Sequence, residues 1–197
     1  MSHLRFVNAL SGDVSVDIYI NALDAAPLIS GLRVGEATCY IQISNTQHQL
    51  LVTVAGSKSD IITQEAILAV KKTDYTVIIQ GSQAAGQLQA YTDDNKCQKN
   101  HKATLRFIHA ASTVANSVDL YADSYVIFSK VKYASGGTPA YIPAKATHFT
   151  FRVNVAGTHT VVVPTFDVTF KKDHAYTFIV VPSGDGATLL PIANKCH

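Results

Sequence analysis

Tryptophan is absent from the 197 residues and methionine occurs once. Glutamate is confined to Glu36 and Glu65, and most aspartates stand in turn-like stretches. That shortage leaves few ways to assemble the paired carboxylates of a glycoside hydrolase. Charged residues make up 15% of the chain and hydrophobic residues 47%, the reverse of what disorder requires. A net charge of +2 is too small to draw nucleic acid, so no nucleic-acid partner is expected. No apolar run nears the ~20 residues of a membrane-spanning helix, so no membrane insertion is expected. Met1-Ser2-His3 runs straight into a strand-like stretch without a signal-peptide pattern. The expectation is a renumbered mature chain or export by a non-classical route.

Catalytic sets are missing too. There is no Gly-x-Ser-x-Gly elbow, phosphate-binding loop or dinucleotide fingerprint. Eight histidines are present, yet none forms a His-x-His or His-x-x-x-His pair. The chain therefore reads as a non-enzyme, with no catalytic residues, metal or cofactor. His109 and Tyr133 are the candidate ligand contacts, in stretches His109–Asn116 and Tyr133–Thr138. The alternative for His109 is a partly buried, hydrogen-bonded structural role near the domain end.

What the chain does have is a repeat. Leu4-Arg5-Phe6-Val7-Asn8-Ala9 returns as Leu105-Arg106-Phe107-Ile108-His109-Ala110. Val16-Asp17-Ile18-Tyr19 returns as Val118-Asp119-Leu120-Tyr121, and Tyr40-Ile41 as Tyr141-Ile142. Val54-Ala55-Gly56-Ser57 returns as Val155-Ala156-Gly157-Thr158, and Tyr75-Thr76 as Tyr176-Thr177. The offset stays between 99 and 102 residues, a period that fits a whole domain rather than a solenoid unit. The expected division is residues 1–92, a polar linker at 93–102, and residues 103–197.

Val14–Ile20 alternates, with Val14, Val16, Ile18 and Ile20 on one face and Asp17 directed to solvent. If the first two strands of each copy pair, Arg5 faces Asp17 and Arg106 faces Asp119 as structural ion pairs. A strand is expected over Ala37–Ile43. Ile61–Val70 has a helix-compatible pattern, but its repeat partner Val161–Phe170 is β-branched and contains Pro164, so both read as strands. Short strands between Gly, Asn, Asp and Ser turns indicate an all-β chain of two tandem β-sandwiches.

These landmarks resemble the domain-of-unknown-function family 4397, twice over nearly the whole chain. The second copy carries Arg106, His109, Ala110, Ser112, Val118, Asp119, Tyr121, Ala156, Gly157, Ala175, Tyr176 and Thr177 of the family pattern. The first departs at Asn8, where His is expected, and at Asp74. The resemblance implies immunoglobulin-like or transthyretin-like sandwiches of bacterial surface or secreted proteins, with no general catalytic activity.

Three cysteines leave at least one without an intramolecular partner. Cys97 and Cys196 end the two copies and are the candidates for disulfides, most easily between molecules. Cys39, in an apolar stretch, is expected to be a buried thiol. The halves also differ in charge. Residues 1–100 carry seven Lys/Arg against nine Asp/Glu, and residues 101–197 nine against five.

The leading expectation is a structural subunit of a bacterial surface filament, appendage or coat. It would self-associate through β edges, with the His3–Ala9 strand and the Leu189–His197 tail as contacts. The alternative is an extracellular adhesion module that binds a surface glycan or another ligand. Both place the protein outside the cell or on its surface, with a spore surface as the variant that needs no classical leader.

Overall fold

The computed structural model describes residues 1–95, 102–135 and 139–195. The described residues are all-β, in sixteen strands with no helix. The first eight are β1 (Ser2–Leu10), β2 (Val16–Ile20), β3 (Ile29–Leu32), β4 (Ile41–Ile43), β5 (Gln47–Val54), β6 (Ile61–Leu68), β7 (Asp74–Ser82) and β8 (Ala85–Asp93). The second eight are β9 (Ala103–His109), β10 (Ser117–Ala122), β11 (Tyr125–Lys132), β12 (Ile142–Ala144), β13 (His148–Val155), β14 (Val161–Thr169), β15 (His174–Ser183) and β16 (Gly186–Lys195). The chain divides into two compact units, Met1–Asp93 with Pro182–Gly184 and Asp94–Val181 with Asp185–His197.

Each unit is an immunoglobulin-like sandwich of two four-stranded sheets. In the first, the orders are β4-β1-β7-β8 and β3-β2-β5-β6; in the second, β12-β9-β15-β16 and β11-β10-β13-β14. Adding eight to each strand number converts one domain into the other. The opening strand pairs in parallel with the seventh of its domain in both copies. The first core gathers Leu4, Phe6 and Leu10 from β1, Val16 and Ile18 from β2, and Leu50 and Val52 from β5. The second uses the same positions, with Leu105, Phe107, Val118, Leu120, Phe151 and Val153. Alternation places these residues inward because strand side chains have period two.

Ile61–Leu68 and Val161–Thr169 are both strands at sheet edges. Pro164 fits there, since an edge position needs no inter-strand N–H on its open side. The expected strand at Ala37–Ile43 is shorter: only Ile41–Ile43 is regular, preceded by a single bridge from Ala37 to Val7. The Thr38 hydroxyl accepts the Phe6 N–H at 3.0 Å, a local bond that competes with the ladder. Cys39 lies in this irregular stretch and is exposed, not buried as expected.

Asp17 also departs from expectation. It does leave the core face, but it is only 4% exposed. Its carboxylate accepts N–H bonds from Gly31 at 2.7 Å and Gly56 at 2.8 Å, and the Ser30 hydroxyl at 3.1 Å. Asp119 accepts from Lys130 N–H at 2.6 Å and Gly157 N–H at 2.8 Å. All four amide donors have positive φ: 66° at Gly31, 78° at Gly56, 52° at Lys130 and 72° at Gly157. A left-handed residue turns its N–H out of the ladder, and the aspartate satisfies it. This ties the Val-Asp-x-Tyr and Ala-Gly-[Ser/Thr] landmarks into one device.

Burial opposes the Asp17 charge, yet the Gly56 and Gly31 amides and the Ser30 hydroxyl outweigh it and hold its pKa below the ordinary 3.8. A depressed carboxylate stabilises the fold fully above the unfolded value, and this is lost as pH falls through the lower folded value. Below pH 3.8, the urea midpoint is therefore expected to fall more steeply in the wild type than in Asp17→Asn. Asp119→Ala, which leaves two amides unpaired at about 1–3 kcal/mol each, is expected to cost roughly 2–6 kcal/mol in equilibrium unfolding.

Candidate ligand-binding cleft

The repeated landmarks converge on scaffold clusters. Arg5 donates from Nη2 to Thr76 Oγ1 at 2.7 Å, and its guanidinium lies 4.7 Å from the centre of the Tyr40 ring. Thr76 donates to Asp93, 2.7 Å from Oδ2, and the same oxygen accepts the Tyr40 hydroxyl at 2.5 Å. In the second domain Arg106 donates to Thr177 at 3.0 Å above Tyr141, at 4.8 Å. Tyr75 and Tyr176 accept the N–H of Val70 and Lys171. These groups are buried and engaged, and they hold strands together.

The expected Arg5–Asp17 and Arg106–Asp119 ion pairs are corrected. Strands β1 and β2 lie in different sheets, as do β9 and β10, so these side chains are not cross-strand neighbours. Arg5 instead approaches Asp93 at 3.6 Å, with both side chains buried. Sequence order suggested pairing of adjacent strands; the parallel β1–β7 closure separates them.

His109 and Tyr133 do come together, ring centres 5.7 Å apart and edge-to-face. Tyr133 is half-buried. His109 is 1% exposed, and its Nε2–H donates to the Ala115 carbonyl at 2.8 Å. The position has an internal counterpart in Asn8, which donates to the carbonyl of Val14, again six residues on, at 2.8 Å. Asn8 also binds Leu32 O and Leu10 N, whereas His109 Nδ1 is buried without a partner. His and Asn thus perform the same anchoring of the opening strand, Asn more completely. Burial lowers the His109 pKa, against the bond to Ala115.

One concave feature of the second domain lies between β11 and β12, edge strands of its two sheets. A cleft of about 480 Å³ there has Phe107, Phe128 and Ile142 on its floor, with Lys130, Lys132 and Ser135 around the rim. Rings of Phe107 and Phe128 are 5.8 Å apart. Both lysines are exposed. Such a surface combines an apolar floor with cationic and hydroxyl donors, the usual composition of a small-ligand site. It adjoins the Tyr133 stretch without using His109. The overlooked signal is the distribution of phenylalanine: one of eight lies in the first copy, at Phe6, and seven lie in the second.

Cys97 and Cys196 lie outside the described residues, so the only described thiol is Cys39. No group of three or more metal-ligating side chains occurs among the described residues. Among the described residues no helix is long and apolar enough to cross a membrane.

Two tandem sandwiches stapled by matching Arg–Thr–Tyr clusters define a duplicated all-β module. The chain belongs to the family described as domain of unknown function (DUF4397), whose model matches residues 2–116 and 111–196. No curated protein sequence matches it. Among solved structures, it is similar to the family 26 carbohydrate-binding module CBMbc of Eubacterium rectale Amy13K, crystallised with maltoheptaose. That similarity is 11% identity over 99% of this chain and 97% of the other, at a TM-score of 0.34. A candidate cell adhesion protein of Bacteroides uniformis is 10% identical over 99% of this chain and 98% of the other, at a TM-score of 0.25.

A His109→Asn variant is expected to retain stability near neutral pH, because Asn8 occupies the same place in the first copy. His109→Ala should lose about 1–3 kcal/mol by leaving the Ala115 carbonyl unpaired. Because the folded His109 pKa lies below the ordinary 6.5, protonation favours unfolding as pH falls from that value through the folded one. Thermal melts across this range should slope less in His109→Asn than in the wild type.

Proposed function

We propose that this chain is a non-enzymatic ligand-binding module of a bacterial surface, with the β11–β12 cleft as its binding site. The cleft carries the reading: it is concave, floored by Phe107 and Phe128, and rimmed by Lys130 and Lys132. An anionic saccharide suits it, since a ring face can lie on phenylalanine while acidic groups meet the lysines. The family resemblance supports a surface or secreted setting.

The edges of the second sandwich favour binding over strand-to-strand assembly. Pro143 stands in β12, Pro164 in β14 and Pro191 in β16, each an edge strand. The fourth edge, β11, carries irregular register and a left-handed Lys130. Prolines, bulges and lysines are the devices that keep an edge from templating another strand. The expected contact through His3–Ala9 also lacks a free edge: β7 pairs along one side, and on the other β4 takes Ser2–Leu4 while Thr38 and Glu36 bond the backbone of Phe6 and Asn8.

A second reading, self-association, keeps one observation in its favour. Edge strand β6 and the residues just after it expose Ile61, Leu68 and Val70 at 48%, 65% and 53%, and no proline interrupts them.

Titration with a panel of acidic and neutral oligosaccharides tests the first reading. Binding should favour acidic members, and Lys130→Gln with Lys132→Gln should weaken it by roughly three- to thirty-fold, as two exposed ion pairs would. Equal binding of neutral and acidic members, or no effect of the double variant, would sink it. Sedimentation of Leu68→Lys tests the second: a concentration-dependent oligomer in the wild type should dissociate in the variant.

A further inference from the structure

Beside the cleft, the second domain holds a separate apolar pocket of about 280 Å³, walled by Leu105, Ala122, Ala144, Phe149, Phe151 and Phe170. The first domain provides an internal reference, because the strand registers equate positions. Ile41 faces Leu4 and Ile142 faces Leu105, so Ala144 stands where the first copy has Ile43. Ile20 faces Leu50 and Ala122 faces Phe151, so Ala122 replaces Ile20. Gln47 faces Leu68 and His148 faces Thr169, which sets Phe149 in the place of His48. Ala69 N–H binds Thr46 O and Phe170 N–H binds Thr147 O, which equates Phe170 with Ala69.

The first copy fills this end of its sandwich. Ile43 is 7% exposed, and Ile20 packs against the core. His48 is buried in a polar plug, 3.0 Å from the Ser44 carbonyl and 3.2 Å from the hydroxyls of Ser44 and Thr46. In the second copy two isoleucines have become alanines, and the polar plug has become a phenylalanine. Phe149, Phe151 and Phe170 pack on one another with ring centres 5.6–5.9 Å apart. They form walls instead of filling the space. An open apolar pocket of this kind favours a hydrocarbon group over water.

One ionisable residue lines the pocket: Lys145, exposed and following directly after β12. No acidic side chain lines it. We infer that the pocket takes the hydrocarbon end of a small amphipathic acid, an alkyl or aryl carboxylate, whose carboxylate is met by Lys145. At about 30 Å³ for the share of one water, the volume equals that of roughly nine waters, room for a short hydrocarbon chain. This inference goes beyond the saccharide reading; the pocket shares only Ile142 with the cleft and takes its charge from Lys145 instead of Lys130 and Lys132.

Octanoate titrated into the full chain, followed by NMR of the aromatic resonances, tests the inference. Saturable shifts of the Phe149, Phe151 and Phe170 signals are expected. Ala144→Ile and Ala122→Ile each install the first copy's residue, and each should weaken binding at least tenfold, about 1.4 kcal/mol. Either variant suffices if the other fails to fold, with circular dichroism melts as the check. Lys145→Gln should weaken octanoate but not octanol. Absence of saturable binding, binding that survives both filling variants, or octanoate binding indifferent to Lys145→Gln would overturn the proposal.

Discussion

A buried aspartate holding two misdirected backbone amides is the constraint on which each domain rests. Asp17 and Asp119 reach from the second strand to a left-handed residue on the neighbouring edge strand and to a glycine in the hairpin beyond β5 or β13. An unpaired buried amide costs free energy comparable to a lost hydrogen bond. The bulge and the hairpin are therefore tolerable only while the carboxylate is present. In return, the bulge twists the edge strand away from further pairing.

The duplication separates scaffold from candidate function. Elements that appear in both copies, the Arg–Thr–Tyr clusters and the aspartate clamps, all have structural roles. Asn8 and His109 look like a chemical difference in the sequence but make the same bond to the residue six positions on. The differences that matter lie elsewhere. Ile20, Ile43 and His48 close one end of the first sandwich, while Ala122, Ala144 and Phe149 leave the matching end of the second open. Two copies of one topology thus provide a closed and an open version of the same core.

The phenylalanine-rich packing of the second domain explains how it tolerates that opening. Phe151 touches Phe149, Phe166, Phe170 and Phe178, and Phe170 stacks near Tyr176 at 4.6 Å. Aromatic pairs of this geometry contribute about 0.5–1.5 kcal/mol beyond their area. Rigid rings can therefore border a void that aliphatic side chains would collapse into.

The sequence by itself determined the all-β class, the duplication and the inward faces of the long strands, because period-two alternation and repeated landmarks are local or linear signals. It also carried the strand assignment of Ile61–Leu68, through the proline in its repeat partner. Tertiary structure alone decided the partners of Arg5, Asp17, Arg106 and Asp119. Those of Arg5 and Arg106 follow from the parallel closures of β1 on β7 and β9 on β15, which join residues about seventy positions apart. Those of Asp17 and Asp119 follow from left-handed residues on the neighbouring edge strand and hairpin. No local pattern encodes either. The exposure of Cys39 was likewise decided by the irregular stretch between Ala37 and Ile41, where the Thr38 hydroxyl accepts the Phe6 N–H. The cleft and the pocket were written in the chain as substitutions between copies. They became legible only when strand register showed which isoleucine each alanine had replaced, since cavity volume depends on what faces a residue across the core and not on its neighbours in sequence.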